Sequence, residues 1–287
     1  MDWVNAAVQG MLLGGLYALF AAGLSLIFGV MRLVNIAHGD LIVLASYLGL
    51  TVVWALDVHP LAALLIVVPI MALLGYVLQR VVLNQTLGDD LLPPLLVTFG
   101  LSVIIQNLLL QGYTADPQKL NAGSIETASV AVGSLQLGLL PLLTFVTAIV
   151  VIAGLQWMFY CTELGRGFRA VSDNQEIAQL MGLNRRHVFG LAMALALGVT
   201  AIAGIFLGIR TSFDPAAGAG RLIFGFEAVI IGGLGNLWGT LAGGVILGIA
   251  QTLGAKIDPG YQLLAGHIAF LIVLAVRPQG LFPRVSG

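Results

Sequence analysis

Charge is scarce in this sequence: only 9% of its 287 residues are Asp, Glu, Lys or Arg, and Lys119 and Lys256 are its only lysines. A formal net charge of −1 supplies no basic stripe of the kind a nucleic-acid partner needs, which sets that class aside. Neither lysine follows a G-x-x-x-x-G-K-[ST] loop, so the chain has no phosphate cradle of that type, and any ATP energy must come from another polypeptide. Cysteine is nearly absent as well. The single Cys161 excludes an intrachain disulfide and leaves no thiol pair for redox or zinc chemistry. The four histidines stand far apart and no H-E-x-x-H or C-x-x-C occurs, so no metal site is expected. No nucleophile, base and acid suggest themselves by spacing, and an enzyme is not the expectation. The N-terminus lacks the positive region and cleavage site of a secretory signal and reads as a first, retained span.

What the chain has is hydrocarbon: 59% hydrophobic residues and a mean hydropathy of +1.02, a composition for lipid rather than water. A crossing helix needs about 20 apolar residues. Uncharged runs at 4–30, 41–56, 60–79, 91–112, 137–160, 188–209, 222–253 and 262–276 give about eight spans, hence an all-α, polytopic inner-membrane helical bundle with broken or re-entrant helices, one transmembrane domain over 1–287. Gly10-Gly14, Gly204-Gly208, Gly239-Gly243 and Gly244-Gly248 are small-xxx-small pairs that let helix backbones approach closely. Orientation follows Lys and Arg in short loops. Arg166, Arg169, Arg185 and Arg186 place the 161–187 loop in the cytoplasm and the polar 113–136 loop outside. Arg277 and Arg284 draw the C-terminus inside, which requires 222–253 to be two pieces joined by "LGNLWG", either two short crossings or a re-entrant pair. Of the 12 basic residues, Lys119, Arg210, Arg221 and Lys256 then lie outside and the rest inside.

The most polar stretch is "RAVSDNQEIAQLMGLNRR", 169–186. Ser172 with Gln175, and Asp173 with Glu176, match capping-box spacing, so a helix is expected to start near Asp173. Ile177, Leu180 and Met181 form one apolar stripe, and Gly182 offers a C-terminal stop. So short a helix is marginal in water alone and needs a surface to cover its stripe. Its polar face carries Asp173 and Glu176, which suits an anionic leaflet poorly and favours a protein partner over lipid.

Four blocks give a resemblance: "GLYALFAAGLSLIFGVMRLVNIAHGDLIVLASY" (15–47), "GRGFRAVSDNQEIAQLMGLNRRHVFGLAMALALGVTAIAGIFLG" (165–208), "FEAVIIGGLGNLWGTLAGGVILGIAQ" (226–251) and "VRPQGLF" (276–282). In order and spacing the chain resembles the membrane permeases of bacterial ABC importers for branched-chain amino acids, the smaller of the two paired permease subunits. Permeases for urea and simple sugars share the "AVIIGG…G…AGG" pattern. The resemblance implies that 172–182 is a coupling helix docked on a cytoplasmic ATPase, with Arg166 and Arg169 orienting the loop and Gly182 turning the chain back. It further implies a second homologous permease, two cytoplasmic ATPase subunits that carry ATP and Mg, a periplasmic solute-binding protein, and no cofactor bound by this chain.

Ionisable groups at membrane depth are costly and face water-filled cavities or polar partners. Asn35, His38 and Asp40 in "VNIAHGDL" have two readings: a broken helix beside the solute path, or ordinary caps at the inner headgroup boundary, with Asn35 or Asp40 as N-cap. Glu227 is expected to pair with Arg221 or Arg210 near the outer surface, or else to face the pathway. Gln106 and Asn107 are expected to satisfy each other or a neighbouring helix, and with Asn35, His38, Asp40 and Glu227 they are the candidates for the translocation pathway. His59 reads as a turn, His187 as an interfacial cap and His267 as a packing residue. The competing function is a stand-alone channel or secondary carrier for a small polar solute such as urea, with the broken helices as its site; that reading leaves the amphipathic loop unexplained.

Overall fold

The computed structural model describes residues 2–88, 90, 92–132 and 135–282. It is a helical bundle: α1 (Asp2–Met31), α2 (His38–Leu56), α3 (Pro60–Val81), α4 (Leu92–Tyr113), the short α5 (Ser124–Thr127), a hairpin of β1 (Ser129–Val132) and β2 (Leu135–Gly138), α6 (Leu139–Cys161), α7 (Glu163–Asp173), α8 (Gln175–Leu180), α9 (Arg185–Arg210), α10 (Gly218–Gly232), α11 (Leu237–Ile257) and α12 (Tyr261–Val276). Among the described residues seven helices, α1, α2, α3 (with the turn after it), α4, α6, α9 and α11, are long and apolar enough to cross a membrane, and α12 is a shorter apolar helix. The 113–136 loop is more ordered than expected, because β1 and β2 pair antiparallel, Ser129 opposite Gly138 and Val132 opposite Leu135. Arg284, counted on the inner side, lies outside the described residues.

The most buried helices are α1 and α9, whose small residues admit neighbours closely. Gly10 and Gly14 of α1 face Gly244 and Gly248 of α11: a Cβ on Gly248 would stand 2.2 Å from Gly10 O. Large apolar side chains on the rim, such as Leu65, Leu73, Leu96, Val150 and Leu271, point outward, as they must where lipid is the solvent.

Two helices begin inside the bundle. Arg32 (φ 53°) ends α1 and reverses the chain, and the 33–37 segment climbs back until His38 Nε2 reaches Phe20 O at 2.9 Å. Phe20 lies about three turns, about 16 Å, before Met31, so α2 starts well within the bundle. On the other side α9 ends at Arg210, residues 211–217 dip inward, and α10 starts at Gly218, against Gly39 and Asp40. The two dips share a local device. Asn35 Oδ1 accepts from Ala37 N (3.1 Å) and Asn35 O from His38 N (3.2 Å); Asp214 Oδ1 accepts from Ala216 N (2.9 Å) and Asp214 O from Ala217 N (3.1 Å). Each is an Asx-turn in which the side chain satisfies a backbone group of the dip. Ile36 N is met by Thr98 Oγ1 of α4 at 3.3 Å.

The resulting arrangement is an inverted repeat. The unit α1–α2–α3–α4 is matched by α9–α10–α11–α12: α1 packs on α11 as α9 packs on α3, α2 meets α10 between them, α4 leans on α2, and α12 leans on α10. The break predicted within 222–253 lies at residues 233–236, with Gly233 (φ 104°) and Gly235 (φ 78°) in backbone regions that only glycine adopts easily. α10 is thus a half-length re-entrant helix, and α11 a full crossing.

Candidate functional site: a central crossing and an exposed inner helix

At the centre the N-termini of α2 and α10 abut. A Cβ on Gly39 would stand 2.0 Å from Gly218 O, and one on Gly218 2.0 Å from Asp40 Oδ1. Asn35, His38 and Asp40 are all buried. That excludes solvent-facing headgroup caps, and the N-cap of α2 is Ala37, without a side-chain bond, rather than Asn35 or Asp40. Asp40 Oδ1 accepts from Gln106 Nε2 at 2.9 Å. His38 Nδ1 and Asn35 Nδ2 are buried without a hydrogen-bond partner. Asn107 is exposed and donates back to Val103 O of its own helix (2.8 Å), so it meets neither Gln106 nor a neighbouring helix.

Glu227 departs from expectation. It is buried in α10, and Oε1 is taken by His267 Nδ1 of α12, not by an arginine. The reason is direction: α12 lies against the face of α10 that carries Glu227. The signal was present, since two ionisable residues in otherwise apolar runs tend to find one another. His59, read as a turn, is the N-cap of α3: its Nδ1 accepts from Leu61 N at 3.2 Å, and Nε2 reaches Ala122 O at 3.3 Å. His187 does not cap α9. Asn184 does, accepting from His187 N (3.2 Å), while His187 Nδ1 bonds Tyr76 OH (2.8 Å).

At the opposite end from the hairpin, the 163–180 segment is two helices rather than one. Ser172 and Asp173 end α7, and Asn174 caps α8 by accepting from Glu176 N and Ile177 N, both at 3.0 Å. The capping boxes that begin at Ser172 and Asp173 are not used, because both residues lie within α7; Ser172 Oγ donates instead to Gly29 O (2.8 Å) and ties α7 to the end of α1. Phe168 and Val171 fix α7 to the bundle from its buried side. Arg166 reaches Glu163 (3.2 Å), and Arg169 lies over the Tyr160 ring (5.3 Å). On α8 only Ala178 turns inward; Ile177, Leu180 (87% exposed) and Met181 (80%) project outward as one apolar surface. Gly182 (φ 87°) reverses the chain into α9, and Arg185 Nη1 donates to Gln175 Oε1 at 2.9 Å.

A multi-pass helical bundle with half-helices meeting at its centre, and a polar double helix at one end, is the architecture of a membrane transport subunit. Residues 6–276 match the profile of a family described as the branched-chain amino acid transport system / permease component, and the chain belongs to that family. It is similar to the high-affinity branched-chain amino acid transport system permease protein BraD of Pseudomonas aeruginosa, with 26% identity over 98% of this chain and 96% of that one. It is also similar to LivH of Escherichia coli, named as the same kind of permease, at 27% over 96% and 94%. The ribose import permease protein RbsC of Escherichia coli is 25% identical over 90% and 81%. Among solved structures, PsaBC from Streptococcus pneumoniae in complex with Fab has a TM-score of 0.51 at 13% identity, covering 97% of this chain and 93% of that chain, a likeness of fold. The chain is accordingly a multi-pass permease subunit of this transport family.

Proposed function

We propose that this permease sits in a bacterial inner membrane and passes a branched-chain or related amino acid from a periplasmic solute-binding protein to the cytoplasm, beside a second homologous permease subunit and driven by two cytoplasmic ATPase subunits. ATP and Mg belong to those ATPases, and this chain binds no cofactor. The near-full-length match to permeases named for branched-chain amino acids supports the substrate class. The single observation that carries the coupling is the bare Ile177, Leu180 and Met181 surface on a capped helix at the basic end of the bundle. Ile177, Leu180 and Met181 would fill a groove on an ATPase, Arg166 and Arg169 would hold the loop, and Ser172 would transmit its movement to α1. Asn35, His38, Asp40 and Gln106 would then form the moving centre at which α2 and α10 part, with Glu227 on the flank of the path; Asn107 takes no part in it.

Leu180→Asp tests the joint. A carboxylate buried in an apolar interface without a partner costs more than a neutral polar group there, for which the penalty is roughly 2–7 kcal/mol. Leucine uptake driven by ATP should be abolished while membrane insertion and thermal stability stay at the parent level, because Leu180 touches little within this chain. Normal uptake by the variant would refute the joint. Isolation from the native membrane in mild detergent should bring down two ATPases and a second permease; recovery of the chain alone, with ion-gradient-driven flux, would support a secondary carrier instead.

A further inference from the structure

The outer half of the bundle holds a cluster of hydrogen-bond donors that lack acceptors. Tyr17 OH of α1 donates to Gln251 Oε1 of α11 at 2.5 Å. Arg210, Arg221 and Glu227 all stand close enough to act electrostatically on Tyr17. Around that tyrosine three donor atoms, Arg210 Nη1, Arg221 Nε and Gln251 Nε2, are buried and meet no acceptor, and one acceptor, Glu227 Oε2, is buried and meets no donor. Among the described residues neither arginine forms a salt bridge. Asp214 acts on Arg221 from the dip before α10, but its Oδ1 is engaged by Ala216 N.

A guanidinium half-buried in a membrane bundle without a carboxylate in direct contact is costly, and its rigid fork of N–H groups suits a carboxylate bidentately. A buried carboxylate oxygen with nothing to accept from suits an ammonium. Both kinds of vacancy surround one residue, Tyr17, which lies about one turn outward of Phe20, the level at which α2 starts. We propose that this cluster is a transit site for a zwitterionic amino acid: Arg210 and Arg221 take the α-carboxylate, Gln251 Nε2 adds a neutral donor, and Glu227 Oε2 takes the α-ammonium while His267 holds Oε1. The site rests on the importer reading and adds to it a place where this chain itself recognises the backbone of the solute. The aliphatic side chain is left to the binding protein, so the site accepts amino acids that differ there.

The test uses the complete complex reconstituted in vesicles, with leucine-loaded binding protein outside and ATP inside, and measures leucine uptake and ATP hydrolysis together. Arg210→Gln, Arg221→Gln and Glu227→Gln should each lower leucine moved per ATP hydrolysed by about ten-fold, the scale of one lost charge-assisted hydrogen bond. ATP hydrolysis stimulated by the binding protein should persist, because the inner joint is untouched. Arg221→Lys should regain part of the loss. Unchanged leucine per ATP in the glutamine variants would overturn the site. So would a joint loss of uptake and stimulated hydrolysis that the lysine variant does not relieve, which would mark the arginines as scaffold. Failure of the unaltered complex to take up leucine would overturn the importer reading, and the zwitterion site with it; that failure is distinguishable because it precedes any substitution.

Discussion

At Gly218 there is no space for a methyl group. An added Cβ would lie 2.0 Å from Asp40 Oδ1 and 2.8 Å from Asp40 N, both on the neighbouring half-helix, so α10 would have to withdraw from α2. Gly218→Ala is expected to cost about 1–3 kcal/mol, the usual range for overpacking, read as a lower melting temperature of the detergent-solubilised chain. Gly220→Ala, where nothing lies within 4 Å, should be neutral or slightly stabilising, and equal behaviour of the two variants would contradict the close crossing. A second residue-scale test concerns the outer loop. The Lys119 hydrogen bond holds the Glu126 carboxyl below its ordinary range, with help from the Ala122 amide and against the effect of burial. A folded pKa below the unfolded value means that this contribution is present above the unfolded pKa and fades as pH falls through the folded one. Hydrogen-exchange protection of the Ala122 amide, corrected for intrinsic rate, should therefore weaken in acid in the native chain and show no such step in Glu126→Gln. Because the Lys119 side chain is half-exposed and water screens the pair from its side, the effect should be small, about 1 kcal/mol or less.

Among the elements, α8 is too short to hold itself together in water, and its order rests on the Asn174 cap and on the turn at Gly182. Asn174→Ala should cost about 1 kcal/mol locally. It should raise amide exchange across 175–180 without altering the melting of the bundle; a global change would mean that α8 carries fold stability as well. This element also marks the limit of what the sequence discloses. Its apolar stripe, its polar flank and the glycine that ends it follow from spacing, which is local. Which of three adjacent polar residues caps it does not, because Ser172 and Asp173 lie within α7, which is tied to a carbonyl on α1 by a long-range contact that spacing cannot report. The same division holds elsewhere. The long apolar runs became helices where hydropathy placed them, and the glycine break before α11 was visible as such. The inward start of α2 and the choice of His267 over an arginine by Glu227 depend on which helices become neighbours. The near-identical Asx-turns at Asn35 and Asp214 were legible in principle, but only once the two halves are laid against one another in opposite directions.

For the whole molecule the orientation is the premise on which both the inner joint and the outer transit site depend. Bonds within the structure already sort the loops into two ends. His59 meets Ala122, and Gln118 pairs with Phe213, at one end; Ser172 meets Gly29, and Asn236 meets Phe282, at the other. These are the two groups that the distribution of Lys and Arg assigned to opposite sides. What remains is which end faces the cytoplasm, and the lone cysteine supplies the probe, because Cys161 is free and exposed at the end of α6, next to α7. A membrane-impermeant maleimide should label the native chain in everted vesicles and spare it in intact spheroplasts. In Cys161→Ser carrying Ser124→Cys, whose new thiol would sit on the exposed α5, the pattern should reverse. Labelling of Cys161 from outside would turn Ile177, Leu180 and Met181 away from any source of ATP, and the chain could then move solute only down a gradient or by coupling to an ion.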